Sequence, residues 1–328
     1  MGDPESRQAR VTASMERHQV PWYLGSIGVA VLAGLAVPDV VGGLDRLITP
    51  LLGALLFVTF LQVPVTELAS AWRNGRFLGA LVLVDFVVVP AVVALLFPLV
   101  PADQAVRFGV LLVLLCPCVD YVVVFTGLAG GEGPRLLAAT PFLLLAQMML
   151  LPVYLWMFLG DGFDESIGPG PFVSAFVGLI VIPLVLAAGT QVLARRHRAG
   201  RRLTATGEAV MVPLMMTVLA VVVASQVPGL DGRYGLVVRV LPLYAAFVVA
   251  MTVLGGVAGR VAGLGAPDRR AVLFSGVTRN SLVVLPFALA LPVGSETASA
   301  VVVAQTLVEL VAMTALVALV PRLVPDDG

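Results

Sequence analysis

The sequence has little charge. Asp, Glu, Lys and Arg make up 12% of its 328 residues, whereas 59% are hydrophobic. The mean hydropathy of +1.02 lies far above the range of soluble globular proteins. Acidic and basic residues balance at twenty each, so nothing in the charge suggests a nucleic-acid partner. The composition therefore excludes a soluble globular protein and predicts an all-α polytopic membrane protein.

Cysteine, histidine and catalytic motifs are also scarce. Cys116 and Cys118 are the only cysteines, and two cysteines one residue apart inside an apolar run cannot form a disulfide framework. The two histidines, His18 and His197, flank apolar segments, which leaves no histidine metal site within the membrane. HExxH and GxSxG are missing, which argues against a membrane-embedded enzyme. We expect no enzyme activity, no cofactor and no resident metal.

Apolar runs dominate what is present, and each is long enough, at about 20 residues, to cross a bilayer. The first run carries no small-residue cleavage site, so we interpret it as a retained span. Ten spans are predicted, at 20–37, 44–64, 76–100, 105–129, 136–160, 170–194, 208–227, 236–260, 270–291 and 297–321.

Arginine placement predicts the orientation. All basic residues are arginines. Fifteen of the twenty fall in the tails and in the loops on the same side, four fall on the opposite side, and Arg279 lies within a span. Cytoplasmic segments carry an excess of positive charge. We therefore expect a multi-pass protein of the cell (inner) membrane with both termini in the cytoplasm.

Four landmarks recur at separations of 162 to 164 residues: Val20-Pro21, Pro50, the Gln-Val-Pro at 62–64, and Arg107. Half of ten spans is five, an odd number, so the second copy must be inverted relative to the first. The predicted divisions are a cytoplasmic tail at 1–19, a first repeat at 20–160, an extracytoplasmic connection at 161–169, a second repeat at 170–322 and a cytoplasmic tail at 323–328.

Span four contains a predicted helix break. Pro117 removes a backbone donor and clashes with the carbonyl four residues earlier, and Cys116, Cys118 and Asp120 surround it. Broken spans are where secondary transporters hold substrate and coupling ions. Adding the repeat offset of 163 to residues 116–118 leads to a polar cluster in span nine, Arg279, Asn280 and Ser281.

Ionisable groups inside spans are candidate functional residues. The acids are Asp85, Asp120 and Glu309, and one arginine cannot neutralise all three, which favours proton carriage by at least one of them. The alternatives are an internal ion pair for the charged groups, packing for the thiols, and local hydroxyl-to-carbonyl bonds for the polar groups of span nine.

Three segments, PCVDYVVVFTGLAGGE (117–132), FSGVTRNS (274–281) and LVELVAM (307–313), resemble the arsenite-efflux permeases of the bile acid/sodium symporter superfamily. The resemblance covers essentially the whole chain. It implies ten transmembrane helices in two inverted five-helix repeats, with broken, crossing helices four and nine. Cys118 stands where these permeases carry a cysteine implicated in arsenite transport, and Val308-Glu309 also matches.

On both sides of Asn280-Ser281 the residues differ from the patterns of the families that the chain resembles. Leu282, Val283 and Val284 follow, where the permeases usually carry an acid just after the asparagine. The acid and glutamine of sodium-coupled relatives are replaced by Ser275 and Arg279. A fixed positive charge is a poor neighbour for sodium, so protons are the expected coupling ion.

The resemblance implies a secondary carrier that exports trivalent arsenic, as arsenite or antimonite, in exchange for protons. The alternative is a sodium- or proton-coupled organic-anion symporter in which Arg279 holds a carboxylate or sulfonate. The expected partners are the lipid bilayer, the metalloid, protons and, if the chain self-associates, further copies of itself. The expected substrate-binding residues are Cys118, Cys116, Asn280, Ser281 and Arg279, and the expected proton-coupling residues are Glu309, Asp120 and Asp85.

Overall fold

The computed structural model describes residues 19–62, 75–118, 122–160, 177–228, 234–289, 291 and 294–326. These residues form an all-α structure without strands, with one isolated antiparallel bridge between Pro117 and Arg279. The predicted connection at 161–169 and all but the last residue of the predicted tail at 1–19 lie outside the described residues.

Fourteen α-helices lie in the described residues. In chain order they are α1 Gln19–Ala36, α2 Pro38–Val41, α3 Asp45–Gln62, α4 Gly75–Leu83, α5 Val89–Leu96, α6 Gln104–Leu114, α7 Val122–Leu128, α8 Gly133–Leu159, α9 Ile182–Arg196, α10 Arg198–Gln226, α11 Tyr234–Val261, α12 Ala266–Val277, α13 Ser281–Leu289 and α14 Ser295–Leu323. Short 3₁₀ turns follow α2 and α5, and five-residue π-helical turns, Val84–Val88 and Val177–Val181, precede α5 and α9.

The contacts divide the chain into two compact units, each built from two separate segments. One comprises residues 1–62 and 173–231, and the other comprises 63–172 and 232–328. Each unit takes one segment from each predicted repeat, so units and repeats are different divisions of the chain. The boundaries of the inverted repeats stay predictions.

In the first unit, α10 packs against α1, α3 and α9. Polar side chains tie these helices through backbone carbonyls. The Gln191 amide donates to the carbonyls of Phe60 and Leu61 at 3.0 and 3.2 Å, and the Ser26 hydroxyl donates to the Met216 carbonyl at 2.8 Å. Such bonds hold helices together where the surroundings offer little water.

In the second unit, α11 packs on α12 and α14, while α14 also packs on α6 and α13. Residues 108–114 of α6 are all buried, so this helix is covered on every side. A Cβ added to Gly109 would lie 2.7 Å from the carbonyl oxygen of Ala298, so α6 and α14 are too close at this point for a side chain at residue 109.

Local sequence determines where the helices of this unit begin and end. Asp103 caps α6 by accepting from the Val106 N–H at 3.1 Å. Pro117, which has no N–H, lies just beyond the end of α6. Pro267 occupies the first turn of α12, and Gly294, with φ of +77°, supplies the left-handed residue before α14.

Four helical stretches of the described chain are long and apolar enough to cross a membrane: Gly75–Leu99, Phe142–Leu159, Tyr234–Val261 and Glu296–Leu323. The bent pair Arg198–Gly207 and Ala209–Ser225 adds a fifth if it counts as one span. The predicted spans at 20–37 and 44–64 contain shorter apolar helices, and those at 105–129 and 270–291 are interrupted. Residues 170–176 of the predicted sixth span lie outside the described residues. The membrane class is therefore supported, and the number of ten stays a prediction.

Candidate functional site

The predicted span four is interrupted around Pro117. Helix α6 ends at Leu114, and α7 begins at Val122. Between them, Cys116 and Cys118 are completely buried, and both are thiols. The interruption exposes backbone groups that a helix would have paired internally, and inside a membrane these groups need partners from the protein.

The predicted span nine is interrupted as well, and the two interruptions pair with each other. Helix α12 ends at Val277, and α13 begins at Ser281. The Cys118 N–H donates to the Thr278 carbonyl at 3.3 Å, and the Asn280 N–H donates to the Cys116 carbonyl at 2.9 Å. This short antiparallel ladder satisfies backbone groups that both breaks release.

A buried ion pair lies beside the ladder. Arg279 Nη2 is 2.9 Å from Asp85 Oδ1, and both side chains have no exposed surface. Asp85 belongs to the π-helical turn Val84–Val88, and its second oxygen accepts from the Ser275 hydroxyl at 2.6 Å. Both carboxylate oxygens therefore have donors, as a buried charge requires.

The Arg279 guanidinium also donates to backbone carbonyls. Nη2 donates to the carbonyls of Ser275 and Gly276, at 2.5 and 2.9 Å, and Nη1 donates to the Leu114 carbonyl at 3.4 Å. The guanidinium carbon lies 5.7 Å from the centre of the Phe247 ring. The positive charge is thus shared among one carboxylate, three carbonyls and an aromatic face.

Glu309 of α14 also contacts the second break. Its Oε2 accepts the backbone N–H of Arg279 at 2.8 Å and a bond from the Gln305 side-chain amide. One helical turn along, the Thr306 hydroxyl donates to the Ser281 hydroxyl at 2.7 Å. Helix α14 therefore anchors the break through a carboxylate and a hydroxyl.

Three buried polar atoms beside the ladder have no hydrogen-bond partner within the described part of the chain: Asn280 Nδ2, Gln305 Oε1 and Arg279 Nε. The Asn280 amide is oriented by the bond from the Val283 N–H to its Oδ1, at 3.2 Å. Buried polar groups are normally paired. An unpaired donor and acceptor at a helix break therefore offer sites for polar groups of a solute.

The structure brings most of the predicted site residues together around the paired breaks: Cys116, Cys118, Arg279, Asn280, Ser281, Asp85 and Glu309. Asp120 lies outside the described residues. Ser275, Gln305 and Thr306 were not predicted as site residues. Helical spacing would have indicated two of them, because Ser275 precedes Arg279 by four residues and Gln305 precedes Glu309 by four.

The fold and the paired breaks define a class: a polytopic membrane carrier with broken helices at a buried polar site. The sequence matches the model of the SBF-like CPA transporter family over residues 22–323, and the chain belongs to that family. This is a bile acid/sodium symporter-like family, which supports the superfamily expected from the sequence motifs and identifies the protein as a secondary transporter. No curated protein matches the sequence.

Proposed function

We propose that this carrier exports trivalent arsenic from the cytoplasm in exchange for protons. The observation that supports this most directly is the position of the two thiols. Cys116 and Cys118 are fully buried on the backbone segment that pairs the two broken helices. Thiolates favour soft metals and metalloids, and arsenite at neutral pH is the uncharged trihydroxide.

The binding step is a ligand exchange at arsenic. The Cys118 sulfur forms a bond to arsenic, one As–O bond breaks, and the thiol proton leaves with that hydroxyl as water. Hydrolysis reverses the step on the far side. Because the break removes helical geometry, residues two apart no longer point to opposite sides as they do in a helix, so Cys116 can serve the same arsenic atom.

The remaining hydroxyls of the substrate need hydrogen-bond partners. Asn280 Nδ2 is a donor and Gln305 Oε1 an acceptor, and both are buried without partners in the described residues. They suit a small neutral solute that carries hydroxyl groups. Ser281, one residue beyond Asn280, adds a hydroxyl to the same segment.

The organic-anion alternative depends on a positive charge that is available to the substrate. Arg279 is paired with Asp85 at 2.9 Å and bonded to the carbonyls of Ser275 and Gly276. A second carboxylate would have to compete with this buried pair. The geometry therefore favours a neutral cargo over an anionic one.

Glu309 is the group we assign to proton exchange. Its carboxylate holds the Arg279 N–H, a backbone atom of the break itself. Protonation would remove acceptor capacity from that contact and so loosen the anchor of the second break. Proton binding and rearrangement of the paired breaks are coupled in this way.

Arsenite uptake into everted membrane vesicles under an imposed proton gradient tests the function. Wild type should accumulate arsenite, and Cys118→Ser should reduce uptake to the background of vesicles without the carrier. Cys116→Ser makes the same substitution at the other thiol and shows whether the Cys118 sulfur suffices. Uptake that persists when both are serine would contradict the thiol mechanism.

A further inference from the structure

Oxygen atoms surround the Arg279 guanidinium as they would surround a bound metal cation. Nη2 is surrounded by Asp85 Oδ1 at 2.9 Å and by the carbonyl oxygens of Ser275 and Gly276 at 2.5 and 2.9 Å. Three oxygens, one of them from a carboxylate, face a single nitrogen atom. Among the described residues, Arg279 is also the largest side chain that is completely buried.

The carbonyls come from helix ends. Ser275 and Gly276 belong to the last turn of α12, and Leu114, whose carbonyl accepts from Nη1 at 3.4 Å, ends α6. Carbonyls in a last helical turn lack intrahelical donors and carry the negative end of the helix dipole. Two broken helices therefore direct their negative ends at the guanidinium.

Carboxylate and carbonyl oxygens are also the ligands that hard metal cations take in proteins. In secondary transporters the carbonyls of unwound segments and half-helix ends hold the coupling sodium ion. Here the positive charge is covalently attached. The Arg279 main chain is held by the bridge to Pro117 and by the bond to Glu309, so the charge cannot leave with the cargo.

We propose that Arg279 is a tethered cation that occupies an alkali-cation site, so that the carrier needs no sodium. Removal of the guanidinium opens a sodium site formed by the Asp85 carboxylate and the carbonyls of Ser275 and Gly276. This inference rests on the proposed carrier function for its transport readout only. Its binding readout is independent of the cargo.

The binding test uses purified full-length protein in detergent and follows the melting temperature in sodium chloride against choline chloride. A ligand that binds only the folded state raises the melting temperature. Wild type should show no difference between the two salts, whereas Arg279→Ala should be stabilised by sodium. Adding Asp85→Asn to Arg279→Ala removes the carboxylate, and the sodium effect should disappear.

The transport test repeats arsenite uptake with sodium chloride or choline chloride on both sides of the vesicle membrane. Arsenite uptake by the wild type should be the same in both salts. Uptake by Arg279→Ala should fall at least about tenfold in choline chloride and recover in sodium chloride, because the variant leaves a buried carboxylate without a counter-charge, which is very costly.

Arg270 supplies the matched control. It lies on α12, the helix that precedes the break containing Arg279. Its guanidinium also contacts carbonyls, those of Val324 at 2.9 Å and Gly130 at 3.0 Å, and a carboxylate, that of Asp326 at 2.8 Å. Asp326 is exposed, so water replaces a lost partner there. Arg270→Ala should show no sodium effect on either readout.

Two results would overturn the inference: a wild type whose melting temperature sodium raises, or an Arg279→Ala variant whose melting temperature sodium does not raise. If Arg279→Ala does not accumulate in the membrane, Arg279→Gln carries the test, since it also removes the positive charge. Sodium should raise its melting temperature, and a variant that sodium does not affect would overturn the inference equally. A wild type that moves no arsenite contradicts the proposed function instead, and the melting experiment still decides the cation site.

Discussion

At the scale of single residues, the pair Asp85–Arg279 dominates the energetics of the site. Both side chains are fully buried and lie 2.9 Å apart. Replacing such a pair with apolar residues is often tolerated, whereas removing one partner strands the other charge and costs about 3–5 kcal/mol. Neither residue can therefore be replaced alone without a large cost, although the pair as a whole adds little to the stability of the unit.

A substitution of Asp85 tests this directly. Asp85→Asn leaves the guanidinium without a counter-charge, and we expect a destabilisation of about 3–5 kcal/mol, seen as a large drop in melting temperature. Ser275→Ala is the control, because it removes only the 2.6 Å bond to the same carboxylate and should cost about 1–3 kcal/mol. Equal losses for the two variants would mean that the charge pairing adds nothing beyond a hydrogen bond.

At the scale of elements, the break in span four could be predicted from local sequence, because Pro117 lacks an N–H and disrupts a helix wherever it packs. The repeat offset led to the polar cluster Arg279–Ser281, but only the family resemblance implied that span nine is broken there. The partners of these residues could not be predicted in the same way. Asp85 and Arg279 are 194 residues apart, and no periodicity connects them.

The bond between Glu309 and the backbone N–H of Arg279 was equally hidden. A backbone donor carries no residue-type signal, so the sequence predicted that Glu309 belongs to the site without indicating what it contacts. The number of membrane spans was not confirmed for another reason. A span that is interrupted forms two shorter helices, and neither is long enough by itself to cross a membrane, even where the apolar run is long.

The close approach of α6 and α14 gives a prediction at this scale. Gly109→Ala places a Cβ 2.7 Å from the Ala298 carbonyl oxygen, a backbone atom that cannot rotate away. Overpacking of this kind costs about 1–3 kcal/mol, so the melting temperature should fall, and transport with it if α14 anchors the second break.

Gly79→Ala is the matched control for that prediction. Gly79 lies within α4 of the same unit, is exposed, and has no atom within 4 Å of an added Cβ. The same substitution should be neutral or slightly stabilising there, because alanine restricts the unfolded chain more than glycine does. A Gly109 variant as stable as the Gly79 variant would show that the two helices have room to separate.

At the scale of the whole molecule, the small number of cysteines allows the orientation of the chain in the membrane to be measured. Replacing Cys116 and Cys118 with serine removes every native thiol, so one introduced cysteine reports one position. Arg201 and Arg46 are a suitable pair: both are exposed arginines, and they fall on opposite sides of the membrane in the predicted orientation.

We expect a membrane-impermeant maleimide to label Arg201→Cys in everted vesicles and Arg46→Cys in right-side-out vesicles, each at least about tenfold more than in the opposite preparation if the arginine excess sets the orientation. Detergent-solubilised samples of both variants should label equally, which shows that each thiol is reactive. Labelling of both positions from one side would mean that an even number of membrane crossings separates them. The ten-span arrangement, which places an odd number there, would then be wrong between α3 and α10. Labelling on the expected sides would show that the cytoplasmic face of the carrier lies on the outside of everted vesicles. Arsenite that accumulates inside these vesicles has then moved in the export direction.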